Sequence, residues 1–141
     1  MADPILSSDL ESRLQGCGFT VVERSVDGPM GSARYLLTDQ TIDISVFDDR
    51  GEQGVGLGVS SGTTYAIQVW RQVLGEASPG PLGIHDQLGW VMDNLCNIRR
   101  MVESDGAMDR RLREANWSII KERLGLNPDA NQDDPRTWHR A

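Results

Sequence analysis

The stretch TIDISVFDDRGEQGVGLGV, residues 41–59, limits what this chain can fold into more than any other part of it. Two runs of strict alternation, Ile42, Ile44 and Val46 in the first and Val55, Leu57 and Val59 in the second, flank the turn-forming DDRG. A period of two sends successive side chains to opposite faces of a sheet, so each run buries one face and leaves the other to different residues. The pair reads as a β-hairpin, with Gly51 placed to supply the positive φ of a short loop with a bulge. Pairing then puts Gly54, Gly56 and Gly58 together on the face away from the aliphatic residues, and Asp43 and Ser45 on that same side of the first strand. Glycine inside a strand costs about 0.5–1 kcal/mol relative to alanine. Three in register are therefore expected where another backbone comes close: a helix of the same domain, a partner chain, or a strongly bent edge. Phosphate binding does not account for them, because the run lacks both the lysine of a Walker-type loop and the GxGxxG spacing of a dinucleotide site.

The rest of the chain supplies elements to either side. Leu6, Leu10 and Leu14 recur every four residues behind Ser8 and Glu11, which have capping-box spacing. They predict a short helix ending at Gly16 or Gly18. FTVVER and ARYLLT read as strands joined by the turn-forming VDGPMGS. TTYAIQVWRQVL is rich in β-branched residues, yet Ile67, Trp70, Val73 and Leu74 share one helical face, and it reads as a helix capped by Thr63 or Thr64 and closed by Gly75. Beyond the loop GEASPGPLG, Asp86 is placed to cap a helix built on Leu88, Val91, Leu95, Ile98 and Val102, which Gly106 breaks. Asp109 then starts a last helix, with Leu112, Ala115, Ile119, Ile120 and Leu124 on one face, up to Gly125. NPDANQDDPRTWHRA reads as a polar tail that Trp138 can pin back on the body. The expected class is α+β: an antiparallel sheet of about four strands with helices on one face, one helix N-terminal and two or three C-terminal, in a single domain over residues 1–126 followed by the tail 127–141.

A chain of 141 residues is long enough to bury a core without a metal or disulfide staple. Cys17 and Cys96 stand far apart with no metal-ligand spacing, so both are expected to be reduced and at least partly buried. No apolar run approaches the length of a membrane span, and a soluble, intracellular protein is expected. Of the net charge of −7, −6 falls in the first 53 residues, which hold ten acidic and four basic residues. Such a surplus repels nucleic acid and anionic membranes and attracts a basic protein partner, although a solvated acidic face would look the same.

Residues able to do chemistry are few. His85 adjoins Asp86 but has no nucleophile motif beside it, and His139 lies in the tail. Asp48, Asp49 and Glu52 lack the spacing of an EF-hand, and a hairpin tip converges too few ligands on a cation. No catalytic residue, metal or cofactor is expected. Arg99, Arg100, Arg110, Arg111 and Arg113 read as a solvated face with opposing acids nearby. A binding module fits better. Asp43, Asp48, Asp49, Arg50 and Glu52 would present charge from a rigid strand pair, and Trp70 or Trp90 could serve either as an interface anchor or as core.

The order TIDISVFDDRGEQGVGLGV, then WRQVLG, then DQLGWVMDNLCNIRRMV, over roughly residues 35–105, resembles a group of small bacterial proteins with a strand, an Asp-Arg-Gly turn (here Asp49, Arg50, Gly51) and a further strand. Those proteins look like immunity proteins of polymorphic toxin systems. The resemblance implies a cytoplasmic antidote that occludes a cognate toxin through an acidic surface, with no cofactor. The rival expectation is a secretion or assembly chaperone holding a partner segment along its sheet. A small-molecule enzyme would need a pocket built around His85.

Overall fold

The computed structural model describes residues 8–27, 32–49, 52–60, 62–76 and 83–141. The chain runs α1 (Ser8–Gly16), β1 (Thr20–Asp27), β2 (Ser32–Thr38), β3 (Ile42–Asp49), β4 (Glu52–Val59), β5 (Tyr65–Ala66), α2 (Ile67–Val73), α3 (Ile84–Ser104) and α4 (Met108–Leu124). The class is α+β, as the alternation and periodicity predict. The five strands form an antiparallel meander in the order β1-β2-β3-β4-β5. The fifth strand, two residues long, was not expected: the segment read as one helix over 64–74 first pairs Tyr65 with Leu57 and Ala66 with Gly56, and only then coils.

Packing follows the alternation closely. Ile42, Ile44, Val46 and Leu57 have no exposed surface, and Val55 is 2% exposed. They meet Leu14 of α1, Trp70 of α2, Leu88, Val91 and Ile98 of α3 and Met108 and Leu112 of α4 in one hydrophobic cluster. Each fully buried aliphatic side chain contributes about 1.5–3 kcal/mol relative to exposure. All four helices therefore lie on one side of the sheet.

Helix ends depend on backbone geometry more than on the side chains the sequence suggests. Neither Thr63 nor Thr64 caps α2, whose N-cap is Ala66; the N-cap of α3 is Gly83 and that of α4 is Ala107, none with a side-chain hydrogen bond. Asp86 and Asp109 sit instead in the first turns, where a negative charge complements the helix dipole. Ser8 is the first residue of α1, but Glu11 reaches across to Arg24 on β1. The C-terminal ends of α1, α2 and α4 are glycine-based, whereas α3 ends on Asp105 in an extended conformation. Gly18, Gly75 and Gly125 all adopt positive φ, and around each a following amide returns to an earlier carbonyl: Phe19 to Leu14, Glu76 to Arg71 and Leu126 to Lys121. This pairing satisfies carbonyls that the helix leaves unbonded.

Arg99 of α3 joins three parts of the chain. Its Nε donates to Asp39 Oδ2 at 2.7 Å, its Nη2 donates to the Cys17 carbonyl, and its guanidinium lies 5.6 Å from the ring centroid of Phe19. Asp39, with its side chain 7% exposed, uses its other oxygen to accept from the amides of Thr41 and Ile42 and so shapes the β2–β3 turn. The turn also contains Gln40 at φ 73°.

The last fifteen residues fold back along α4. Trp138 packs on Trp117 with centroids 5.2 Å apart, Trp117 Nε1 donates to the Ala130 carbonyl at 2.7 Å, and Trp138 Nε1 donates to that of Asn131 at 2.6 Å. Ala141 N donates to Gly125 O, closing the segment on the end of α4. Trp138 thus pins the tail as expected. Both cysteines are free thiols; Cys17 is half-buried, whereas Cys96 is exposed, contrary to the expectation that each is at least partly covered. No helix among the described residues is long and apolar enough to cross a membrane.

Candidate functional site

The register of the sheet defines its helix-free face. Ser25, Arg34, Phe47 and Gly54 stand in one row across β1 to β4, and Glu23, Leu36, Ser45 and Gly56 in the next. Thr38, Asp43 and Gly58 follow. A register shift between Val21 and Glu23 bulges β1, while the β3–β4 ladder runs without interruption to Asp49↔Glu52. Gly51 and the loop conformation proposed for it lie outside the described residues.

Each glycine of β4 makes room for a different group. The Phe47 ring covers Gly54; a Cβ there would stand 2.9 Å from Phe47 Cε1. At Gly56 a Cβ would meet Thr64 Cβ and Oγ1 at 3.1 Å, and at Gly58 it would collide with the main chain of Thr63 and with Thr64 Cα at 2.9 Å. The backbone that approaches is therefore the chain's own return segment from β4 to β5. Among the causes of the glycine run considered from the sequence, close approach of a backbone is found at Gly58, where it comes from a loop of the chain itself and not from a helix.

Beside that covered strip, β2 and β3 leave a groove of about 530 Å³ lined by Ser25, Arg34, Ser45, Phe47, Asp49 and Thr64 among others. Phe47 is 39% exposed at its wall and Ser45 is 5% exposed at its floor. Among the described residues no buried side-chain nitrogen or oxygen lacks a hydrogen-bond partner.

The sequence-predicted partner residues separate on this frame. Asp43, Asp49 and Glu52 share the helix-free face by register, with Asp49 and Glu52 exposed and Asp43 half-buried. Asp49 accepts from Ser32 Oγ at 3.0 Å. Asp48 belongs to the opposite parity and accepts from Gln53 Nε2 at 3.3 Å. Arg50 lies outside the described residues. Trp70 is not an interface residue: it is 0% exposed, and its Nε1 donates to Leu57 O at 2.5 Å in the core. Its place on the apolar face of α2 is what buries it. Trp90 is half-buried against the same core. Arg34, Ser45 and Phe47 were not singled out from the sequence, although Phe47 opposite a glycine in the alternating pair was a usable signal.

His85 is exposed on the first turn of α3, and His139 is exposed near the chain end. Among the described residues no group of three or more His, Cys, Asp or Glu could hold a metal ion. Perturbed groups have structural causes. The hydrogen bond from Arg111, aided by the Ala107 amide, holds the Asp105 carboxyl below its ordinary range, and Arg136 does the same to Asp134. Burial, then the charge of Asp109, pushes the Tyr65 phenol up. Four of the five clustered arginines face acids: Arg99 with Asp39, Arg110 with Glu114, Arg111 with Asp105 and Arg113 with Asp133. The chain matches no family model, no curated protein and no solved structure with which it was compared.

Proposed function

We propose that this chain is a non-enzymatic protein-binding module of the antidote type: it binds a cognate toxin through its acidic sheet and occludes the toxin's working surface. One observation carries the reading. On the helix-free face the charged residues Glu23, Asp43, Asp49 and Glu52 stand against Arg34, whereas on the helices Arg99, Arg111 and Arg113 each face an acid. Negative potential is thereby concentrated on a rigid antiparallel sheet, which suits rapid, oriented association with a basic surface and disfavours nucleic acid. Occlusion needs no nucleophile, metal or cofactor, and the action is proposed to be cytoplasmic.

The test is genetic and direct. Expression of the protein encoded immediately upstream arrests growth, and co-expression of this chain restores it. Growth arrest that this chain does not relieve overturns the antidote role. The chaperone alternative draws support from the open groove along β2 and β3, which could hold an extended segment. A chaperone would raise the soluble yield of its partner without inhibiting it.

A further inference from the structure

Helix α4 has two working faces. Met108 and Leu112 belong to the main hydrophobic cluster, whereas Arg110, Arg113, Trp117 and Lys121, at spacings of three and four, form a stripe on another side. Trp117 is 9% exposed and Ala130 4%, yet neither belongs to that cluster. What covers Trp117 is the segment 127–141. Its indole packs on Trp138 and donates to the Ala130 carbonyl. To either side along the stripe, Arg113 pairs with Asp133 and Lys121 Nζ donates to the Pro128 carbonyl at 2.7 Å. A cleft of about 480 Å³, lined by Arg110 and Asp129 among others, remains between the helix and the segment.

The segment is bonded largely to itself. Asn127 and His139 exchange two hydrogen bonds, Asn131 N donates to Thr137 Oγ1, Trp138 Nε1 donates to Asn131 O, and Asp134 holds Arg136. Its two ends meet through the Leu126–Arg140 bridge and the bond from Ala141 N to Gly125 O, and Gly125, at φ 65°, is the joint with α4. All of these bonds persist when the segment lifts off the helix. The contacts given up are the ring packing, the Trp117 bond and two exposed charged contacts. Ala130 is the one buried residue of 127–141, and elements that bury so little open at lower free energy than a core. We propose that residues 127–141 are a latch, which opens while the sheet and helices stay folded and turns the α4 stripe to solvent. Closed, it keeps Trp117 and its basic neighbours engaged within the chain; open, it presents a tryptophan flanked by Arg113 and Lys121.

Two indoles of the same chain provide the test. Trp117 Nε1 is bonded across the latch to Ala130, whereas Trp70 Nε1 is bonded to Leu57 O in the core and reports unfolding of the whole body. Hydrogen exchange of both protons is followed by NMR on the full ¹⁵N-labelled chain at several urea concentrations. The expected result is that Trp117 Nε1 exchanges at least about 100-fold faster than Trp70 Nε1, with a much smaller dependence on urea. Trp138→Ala speeds Trp117 further by about tenfold, the scale of an aromatic pair. Asp133→Asn, the second variant should Trp138→Ala fail to fold, speeds it by about two- to fivefold, the scale of an exposed ion pair. Neither variant accelerates Trp70 as much as Trp117. Equal rates and equal urea dependence for the two indoles overturn the latch, because the segment then unfolds only with the body. Fast exchange at Trp117 that neither variant changes also overturns it, because the opening then lies in α4 and not in the segment.

Discussion

The ring of Phe47 lies over Gly54, its direct partner across the β3–β4 ladder, and fills the space that a side chain on Gly54 would need. The same strand gives way to a loop at Gly58, where the main chain of Thr63 takes that space. The two glycines are thus required for different reasons, since a ring can swing aside and a carbonyl anchored between β4 and β5 cannot. Gly58→Ala is expected to lose about 2–3 kcal/mol, the scale of overpacking, whereas Gly54→Ala changes stability by less than about 1 kcal/mol. Gly56→Ala, facing the Thr64 side chain, falls between. Urea unfolding of the three variants checks the order.

Asp39 and Arg99 lie sixty residues apart in sequence and hold the β2–β3 turn to α3. Asp39→Ala removes the acceptor for Arg99 and for two turn amides, and is expected to cost about 2–3 kcal/mol. Asp39→Asn keeps an oxygen for the turn and loses less. A double-mutant cycle of Asp39→Asn with Arg99→Gln is expected to give a coupling of about 1–2 kcal/mol in urea unfolding; additive losses would refute the link.

The C-terminal segment is part of the folded body. Trp138→Ala removes the ring packed at a tilt on Trp117 and is expected to cost about 1–2 kcal/mol. Ending the chain at Leu126 also takes the Ala130 carbonyl from Trp117 Nε1. Tryptophan emission then shifts to longer wavelength in the truncated chain, and thermal unfolding begins earlier.

Asp105 and Asp134 set part of the response to acid. Arginine partners lower both carboxyls from the ordinary value of 3.8. A carboxyl that binds protons less readily when folded contributes stability fully present above its unfolded pKa and lost as pH falls through the lower folded value. The double variant Asp105→Asn/Asp134→Asn is therefore expected to lose less stability than the parent as pH is lowered from about 5 to about 2. Denaturant midpoints across that range measure it.

The legible parts of this molecule were those governed by local periodicity. Ile42, Ile44 and Val46 announced a buried strand face, and Leu88, Val91, Leu95 and Ile98 a buried helix stripe, because each pattern is repeated by the geometry of one element. The glycine face of β4 was readable as a face, but what covers it depends on where the chain turns after Val59. Trp70 was ambiguous for the same reason, since an aromatic on an amphipathic helix is core or interface according to a packing decided elsewhere. The caps of α2, α3 and α4 escaped notice because backbone conformation at Ala66, Gly83 and Ala107 starts those helices without a side-chain bond. The groove was invisible: Arg34, Ser45 and Thr64 meet only through register and the crossing of the return loop.

The central claim is that the acidic sheet face meets a basic partner. Its most direct test is the affinity of the purified chain for the protein encoded upstream, measured by calorimetry for the parent and for the variant Glu23→Lys/Asp49→Lys/Glu52→Lys, with the folds of parent and variant checked by circular dichroism. The account predicts affinity about 100-fold weaker in the variant and a parent affinity that falls as salt is raised. Equal affinity for both, insensitive to salt, would contradict it.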